Sequence, residues 1–140
     1  MGLAENKQLA REFISAICRG DVKAITQAFA DDGKCWTIGS MAISGRFGKE
    51  HVANASHRVL DLFPDGLEIT IDRMTAEDDR VAIEAHSNGR HVNGKQYQNV
   101  YHFLMRARDG KIIEWNEYLD TMHANDVLCD GAPARASMVR

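Results

Sequence analysis

The sequence contains few cysteines and prolines and no long apolar stretch. Its 140 residues include three cysteines and two prolines. Cys18, Cys35 and Cys129 are widely separated and form no Cys-x-x-Cys pair, so we expect reduced thiols rather than a disulfide framework or a zinc site. No stretch approaches the roughly 18 apolar residues of a membrane helix, and no apolar leader follows a basic N-terminal segment. These features predict a soluble, cytoplasmic protein with no membrane partner.

An excess of basic residues is also missing. The 17 lysines and arginines are scattered, 20 acidic residues outnumber them, and the net charge is -3, so nucleic acid is not expected as a partner. The histidines show no His-Glu-x-x-His spacing, no serine lies in a Gly-x-Ser-x-Gly elbow, and no glycine-rich phosphate loop is present. We therefore expect no metal, no covalent nucleophile and no cofactor.

Helical periodicity marks the first half of the chain. Leu9, Phe13 and Ile17 lie one turn apart, which predicts an amphipathic helix over residues 3–18. Similar spacing predicts helices at about 22–29 and 52–63, with a short strand at 34–38 and a loop at 39–48. The length and the 44% hydrophobic content suit a single domain, with expected bounds 1–128 and a flexible tail at 129–140.

From Leu67 onward the apolar period is two, which is typical of β-strands. Two long strands, at about 80–92 and 95–108, are joined at Asn93-Gly94, and the second is joined to a last strand at Asp109-Gly110. Asn-Gly is a strong hairpin signal because both residues tolerate positive φ. The pattern predicts an antiparallel meander of four strands behind N-terminal helices, which is an α+β fold with a curved sheet.

The last strand carries a carboxylate on a face that is otherwise apolar. Strict alternation from Lys111 places Ile113, Trp115, Glu117 and Leu119 on one face. An ionised carboxylate in an apolar wall costs several kcal/mol unless it is paired, hydrogen-bonded or protonated. Folding alone would not select Glu117, and a chemical or binding role would explain it. Asp120, by contrast, is expected to cap a helix at 122–128.

Polar side chains on the two preceding strands are candidates for the same cavity. One interpretation combines an acid and base with polar partners and apolar walls: Glu84, His86, Asn99, Tyr101 and Glu117 with Phe103, Trp115 and Leu119. The other interpretation is structural: Glu84 and His86 pair or lie on a solvated face, and Tyr101 satisfies a buried backbone group. Trp36 is expected in the core or in a pocket wall. Both interpretations remain open at this point.

The element order, together with Ser44-Gly45-Arg46 and the final Asp109-Gly110-Lys111-Ile112, resembles the cystatin-like α+β cone over about residues 5–128. Nuclear transport factor two, ketosteroid isomerase, limonene epoxide hydrolase and SnoaL-type polyketide cyclases share this fold. The last strand resembles that of the hydrolase and the cyclases, in which Glu117 falls where a catalytic aspartate is kept. The resemblance also places Thr37 at the position of the isomerase's base.

Together these features predict a SnoaL-like enzyme that cyclises, isomerises or hydrates a small apolar, oxygenated substrate without a cofactor. Glu117 is the expected acid or base, Tyr101 and His86 orient or stabilise an oxygen, and Glu84 tunes His86. The expected pocket residues are Trp36, Thr37, Asn99, Phe103, Trp115 and Leu119. The alternative is a non-catalytic ligand-binding or dimerisation module. Because the helices cannot cover the outer face of the sheet, a homodimer through that face is expected.

Overall fold

A curved sheet wraps around the N-terminal helices. The computed structural model describes residues 2–135. The helices are α1 (Leu3–Arg19), α2 (Val22–Ala28), α3 (Lys49–His57), α4 (Val59–Leu62) and α5 (Thr121–Leu128). The strands are β1 (Phe29–Thr37), β2 (Gly45–Gly48), β3 (Glu68–Glu77), β4 (Arg80–Arg90), β5 (Gln96–Tyr97), β6 (Val100–Arg108) and β7 (Lys111–Leu119). The predicted α+β fold class is confirmed.

The sheet is mixed because one of its pairings is parallel. The strand order is β2-β1-β7-β6-β4-β3, and β5 pairs with β4 beside this path. The central meander is antiparallel, as the hairpin signals predict, whereas β1 runs parallel to β7. This pairing joins the first strand to the last one, and it places Thr37 beside Glu117.

Local signals account for the ends of the first two helices. α1 buries Ala10, Phe13 and Ile14 and ends at Gly20, whose φ of 64° is the left-handed conformation that favours glycine after a helix. The Asp21 side chain then accepts a hydrogen bond of 3.1 Å from the Ala24 N–H, which caps α2. The break between α1 and α2 therefore follows from sequence.

The predicted hairpins are present, but one long strand is divided. Gly94 has φ 90°, and Asp109 and Gly110 have φ 52° and 77°, as tight turns between antiparallel strands require. The predicted strand 95–108 is interrupted between β5 and β6, where the Asn99 amide hydrogen-bonds backbone groups instead. Tertiary hydrogen bonding here overrides a continuous strand pattern.

Three further element boundaries differ from the predicted ones. β1 begins at Phe29 rather than at residue 34, and the predicted loop contains β2, which pairs with β1 from Lys34 to Thr37. The predicted helix 52–63 begins earlier and is divided at Arg58 into α3 and α4. These differences arise from long-range strand pairing and chain reversal, which a local pattern does not report.

Two groups of buried apolar side chains fill the concave side of the sheet. The larger, which we call the main core, includes Phe13, Phe29, Ile83, Phe103 and Trp115. The smaller, which we call the upper cluster, consists of Met41, Phe63, Tyr97, Ala124 and Val127, with Leu119 packed against it. Tyr101 packs against both groups and therefore lies where they meet.

Gly33 occupies a position that excludes any side chain. A Cβ there would lie 2.6 Å from the Ile112 carbonyl oxygen and 2.7 Å from Phe29 Cδ1, at the point where β1 shifts its register against β7. We expect Gly33→Ala to lower the free energy of unfolding by about 1–3 kcal/mol, measured by urea denaturation. Gly48→Ala is the matched control, because its nearest contact would be an ordinary 3.7 Å. Equal stability of the two variants would contradict the clash.

The end of the chain makes specific contacts as far as it is described. The Arg135 N–H donates to the Ser40 carbonyl at 2.7 Å, and its guanidinium donates to the carbonyls of Met41 and Ser44 at 3.1 and 2.6 Å. The part of the predicted flexible tail that covers 136–140 lies outside the described residues. Within residues 2–135, none of the helices has both the length and the apolar character needed to cross a membrane.

Candidate functional site

Glu117 lies on the concave face of the sheet. In the strand register it is opposite Thr37 of β1 on one side and Phe103 of β6 on the other. Trp115 and Leu119, two residues away on either side along β7, share this face. The alternation argument therefore places the carboxylate in an apolar wall, as the sequence predicts.

A β-bulge changes which residues face the core at the start of β7. Ile112, rather than Ile113, is fully buried, and the pairing with β6 shifts between Arg106 and Ala107. The extra residue resets the alternation, so Ile112 and Trp115 face the same side. The predicted alternation holds from Trp115 to Leu119, which is the segment that carries Glu117.

Among residues 2–135, the groups that donate hydrogen bonds to the Glu117 carboxylate are neutral. Trp115 Nε1 donates to Oε1 at 3.3 Å, and the Thr37 hydroxyl donates to Oε2 at 3.4 Å. Within residues 2–135, no lysine, arginine or histidine forms an ion pair with it. Burial raises the pKa of Glu117, and the two donors offset this only in part. A carboxyl with a raised pKa can exchange a proton nearer neutral pH.

Beside Glu117, buried hydroxyls form a connected network. The Tyr101 hydroxyl donates to the Tyr97 hydroxyl at 3.2 Å and lies 2.9 Å from Ser87 Oγ. Asn99 Nδ2 donates to the Tyr97 hydroxyl at 3.1 Å. Burial raises the pKa values of Tyr97 and Tyr101, and the negative charge of Glu117 adds to both shifts. Both phenols therefore remain protonated and can act as hydrogen-bond donors at neutral pH.

Comparison with known proteins assigns the family. The model of the SnoaL-like domain matches residues 10–115. This chain belongs to the SnoaL-like domain family. No curated protein matches it.

Solved structures share the fold of this SnoaL-like domain at low sequence identity. An NTF2-like protein from Burkholderia xenovorans LB400 is 23% identical, with a TM-score of 0.73 over 91% of this chain and 98% of that chain. An LEH-like epoxide hydrolase from M. tuberculosis is 21% identical, with a TM-score of 0.72 over 92% of each chain. A Jannaschia protein provisionally described as a SnoaL-like polyketide cyclase is 17% identical, with a TM-score of 0.72 over 93% and 94%. These likenesses show the NTF2-like fold alone.

Two expected members of the site lie on the opposite, convex face of the SnoaL-like domain. Glu84 forms a bidentate ion pair with Arg73, and His86 Nδ1 lies 2.9 Å from an Asp72 carboxylate oxygen. The alternate residues of β4, among them Ile83, are buried on the concave face, so Glu84 and His86 must point outward. The Arg73 guanidinium lowers the pKa of Glu84. The expected grouping of these two residues with Glu117 is therefore wrong.

Trp36 also lies away from the Glu117 carboxylate. It pairs in register with Asn116, on the face opposite Thr37, and its ring contacts Tyr118 edge to face at a centroid distance of 5.3 Å. β1 thus presents Thr37 and Trp36 to different sides, although both are buried. Trp36 belongs to a buried patch on the convex face rather than to a wall beside Glu117.

The other expected residues do assemble on the concave side of the SnoaL-like domain. The assembled group consists of Thr37, Asn99, Tyr101, Phe103, Trp115, Glu117 and Leu119. The Tyr101 ring stacks on Phe103 at 4.9 Å, and Phe103 packs against Trp115 at 5.1 Å. Asp120 accepts from the N–H groups of Met122 and His123 and caps α5, as expected. Glu117, Tyr101 and Leu119 each keep partial exposure, so this end of the concave face is open to solvent.

Sequence reasoning missed Tyr97, Ser87 and Cys35 as neighbours of the site. Alternation along the predicted strand 95–108 places Tyr97 on the same face as Tyr101, so the sequence pattern could have identified Tyr97 as a neighbour of the site. Ser87 and Cys35 alternate with core residues and were not distinguished from them. Burial and the Glu117 charge raise the pKa of the Cys35 thiol, which therefore stays protonated.

Two surface clefts lie elsewhere on the molecule. One of about 540 Å³ lies between α1 and the start of β3, beside Arg11, Cys18 and Glu68. The other, of about 840 Å³, lies beside α3 and includes Lys49 and His51. The lining of neither cleft includes Glu117.

The raised pKa of Glu117 is directly measurable. We expect carboxyl-carbon NMR to give a pKa above that of an exposed glutamate, which is about 4.3, because burial disfavours the anion. The signal is assigned by its loss in Glu117→Gln. The folded protein then holds this proton more tightly than the unfolded chain, so Glu117 reduces stability as the pH rises from the unfolded pKa through the folded pKa. A pKa at or below that of an exposed glutamate would contradict a desolvated carboxyl.

Proposed function

We propose that this SnoaL-like protein is a cofactor-independent acid/base enzyme that cyclises, isomerises or hydrates a small apolar, oxygenated substrate. The observation that carries the proposal is the Glu117 carboxylate, which lies among apolar side chains and accepts hydrogen bonds from two neutral donors, Trp115 and Thr37. Several carboxylates elsewhere in this chain pair with a basic side chain, as Glu84 does with Arg73 and Asp31 does with Lys49. Glu117 lacks such a partner in residues 2–135, which leaves its proton available for transfer.

The surroundings of Glu117 match this chemistry. Phe103, Trp115 and Leu119 provide an apolar wall for a hydrocarbon skeleton. The hydroxyl network around Tyr101 lies on the same face and provides donors for a substrate oxygen. In the proposed reaction, Glu117 moves a proton at carbon or oxygen while the network holds the oxygen in place. Structural neighbours described as an epoxide hydrolase and, provisionally, as a polyketide cyclase support this substrate class.

Proton transfer can be tested without knowing the natural substrate. The wild-type protein is incubated in D₂O with a panel of small ketones, and with cyclohexene oxide, while NMR follows deuterium incorporation and ring opening. We expect acceleration over buffer for at least one class, with the same pH dependence as the titration of Glu117. Ligand binding without acceleration of any reaction would overturn the enzyme and favour a binding module.

One observation favours the non-catalytic alternative. His86, which the sequence predicts to stabilise a substrate oxygen, and Glu84, which is predicted to tune His86, lie on the convex face. A single carboxyl in an apolar setting can also serve as a neutral hydrogen-bond donor to a ligand. In that case Glu117→Gln changes affinity, and there is no turnover to lose.

We also propose that the convex face pairs with a second copy of this chain. It exposes Val100 at 65% relative accessibility, and it carries both signs of charge in Arg73 and Glu84. Like faces of two copies can therefore match apolar and charged groups. We expect light scattering at micromolar concentration to give twice the 15.6 kDa chain mass, and Val100→Glu to shift the mass toward one chain. A monomeric wild type would contradict the proposal.

A further inference from the structure

The loop 39–44, which we call the flap, leads from β1 to β2 at the open end of the concave face. Glycines with positive φ bound it: Gly39 has φ 103° and Gly45 has φ 131°. Glycine adopts such conformations without strain, and hinge positions are often small residues of this kind. Ile38, directly before the flap, donates its N–H to the Glu117 carbonyl at 3.1 Å. The flap is therefore a segment that can turn about two hinges at the edge of the candidate site.

Hydrogen bonds inside the flap make it a unit. Ser44 Oγ accepts from the Met41 N–H at 3.0 Å, and the Ser44 N–H donates to the Met41 carbonyl at 3.0 Å. Ser44 Oγ also donates to the Ile38 carbonyl at 2.9 Å, outside the flap. The two bonds between Met41 and Ser44 can persist while the flap turns, so its movement does not require it to unfold.

One flap side chain, that of Met41, fills part of the wide end of the sheet. Met41 is 4% exposed and belongs to the upper cluster, against which Tyr101 and Leu119 also pack. It therefore lies next to the residues that surround Glu117. Methionine is unbranched and flexible, so it can leave and re-enter an apolar space more easily than a rigid side chain.

The C-terminal segment 129–135, which we call the strap, returns from the end of α5 to the flap. The reversal uses two successive left-handed residues, Asp130 with φ 51° and Gly131 with φ 70°. Asn125 of α5 holds the turn, because its Nδ2 donates to the Ala132 carbonyl at 3.0 Å. The strap thus connects the last helix to the loop that follows the first strand.

Arg135 fastens the strap to the flap. Its backbone N–H donates to the Ser40 carbonyl at 2.7 Å, and its guanidinium donates to the carbonyls of Met41 and Ser44 at 3.1 and 2.6 Å. Most of the strap is exposed, and its Cys129 packs against the upper cluster. Segments with few buried apolar contacts open at a low free energy, so the attachment of the strap depends mainly on Arg135.

α5 is the fixed side of this arrangement. Its Ala124 and Val127 are buried in the upper cluster. Asn93 Nδ2 donates to the Val127 carbonyl at 3.0 Å, and Lys95 Nζ lies 2.9 Å from an Asp126 carboxylate oxygen, which ties the helix to the hairpin between β4 and β5. The flap and the strap are therefore the parts that can move.

We propose that the flap is a gate through which a small apolar ligand enters the concave face, with Met41 as its plug and Arg135 as the latch that holds it shut. When Arg135 releases the flap carbonyls, the flap turns about Gly39 and Gly45, and Met41 leaves the upper cluster. The space that Met41 vacates leads to the apolar wall beside Glu117. The inference does not depend on the chemistry proposed for Glu117, because a non-catalytic binding module would need the same entrance.

Cys35 reports the state of the gate without a known ligand. It pairs in register with Trp115 and is 8% exposed, whereas Cys18 lies on α1 beside a surface cleft and serves as the internal control. Burial raises the pKa of both thiols, so both react slowly with iodoacetamide, and peptide mass spectrometry follows each rate. We expect Arg135→Ala to raise the alkylation rate of Cys35 about 10-fold, the effect of one lost charged hydrogen bond, and to leave that of Cys18 unchanged.

Amide hydrogen exchange follows the flap itself. In Arg135→Ala we expect the N–H groups of Met41 and Ser44 to exchange about 10-fold faster, while the Val92 N–H, which donates to the Leu62 carbonyl on the fixed side, keeps its wild-type rate. Arg58→Ala is the matched control, because Arg58 is an exposed arginine at the junction of α3 and α4, and it should change neither rate.

Met41→Ala separates the plug from the latch. This variant keeps the carbonyl groups that Arg135 binds, but it shortens the side chain that fills the upper cluster. We expect faster alkylation of Cys35 with wild-type exchange at the Ser44 N–H. Unchanged alkylation of Cys35 in Met41→Ala would mean that Met41 is not the plug.

The remaining outcomes each decide one part of the inference. Faster flap exchange in Arg135→Ala with unchanged Cys35 alkylation would mean that the flap is not the entrance. Unchanged flap exchange would mean that Arg135 is not a latch, and an equal rise at Cys18 and Cys35 would indicate general loosening and overturn the gate. If Arg135→Ala fails to fold, Arg135→Lys, which keeps the charge but has a single donor group, should give a smaller rise judged by the same criteria.

Discussion

We expect exchange of Glu117 for glutamine to remove the proposed proton transfer while the ligand still binds. The amide keeps the shape of the carboxyl: its oxygen can accept from Trp115 Nε1, and its nitrogen can donate to the Thr37 hydroxyl after that hydroxyl rotates. It cannot take up a proton. We expect kcat in the deuterium-exchange assay to fall by about 10²- to 10⁴-fold, the usual contribution of a general acid or base, with a dissociation constant within a few-fold of wild type.

Glu84→Gln is the matched control for this prediction. The same chemical change is made on β4, but the side chain faces outward and pairs with Arg73. We expect unchanged turnover and at most a small loss of stability, because exposed ion pairs contribute about 0–1 kcal/mol. If both variants lost activity equally, the loss would not report proton transfer at Glu117. If Glu117→Gln kept full turnover, the carboxyl would have no acid/base role.

The face of the sheet on which Glu117 lies was predictable because it depends only on the alternation of side chains along one strand. Alternation places Trp115, Glu117 and Leu119 on one face whatever the neighbouring strands are. The face on which Ile112 lies was not predictable, because the bulge near Arg106 depends on the register between β6 and β7. A one-residue shift of this kind exchanges the faces of a strand, and nothing in the sequence of β7 marks it.

The misplacement of Glu84 and His86 has a different cause. Alternation divides β4 into an apolar set and a polar set, and the polar set is the ordinary choice for a solvated face. The partners that confirm this choice, Arg73 and Asp72, lie on β3, and their positions depend on a register that contains an irregularity between Ile71 and Arg73. Cross-strand pairing of charges therefore becomes visible only in the folded chain.

The parallel pairing of β1 with β7 shapes the site and joins residues that are far apart in the sequence. β1 and β7 are separated by most of the chain, yet their parallel pairing places the Thr37 hydroxyl against Glu117. Local periodicity reports no such contact, and family resemblance pointed to Thr37 only as a position. The chemistry of that position, a neutral donor in place of a base, follows from the residue itself.

Phe13→Ala is expected to have the largest effect on stability. Phe13 of α1 is 1% exposed and packs edge to face on Phe29 at 5.3 Å and on Trp115 at 4.7 Å. Removing a buried phenylalanine leaves a cavity and lost contacts that cost about 3–5 kcal/mol. For a chain of this size that corresponds to a fall in Tm of roughly 10 °C or more, measured by circular dichroism.

Phe47→Ala is the control that distinguishes the loss of core packing from the loss of any aromatic ring. Phe47 lies on β2 at the sheet edge, is partly buried, and stacks on His51 at 4.1 Å, so its removal should cost only about 1 kcal/mol. Phe13 also supports Trp115, which donates to Glu117. In Phe13→Ala we therefore expect the pKa of Glu117 to change along with stability, whereas in Phe47→Ala it stays at the wild-type value. A Phe13→Ala protein with wild-type stability would mean that α1 does not hold the main core against the sheet.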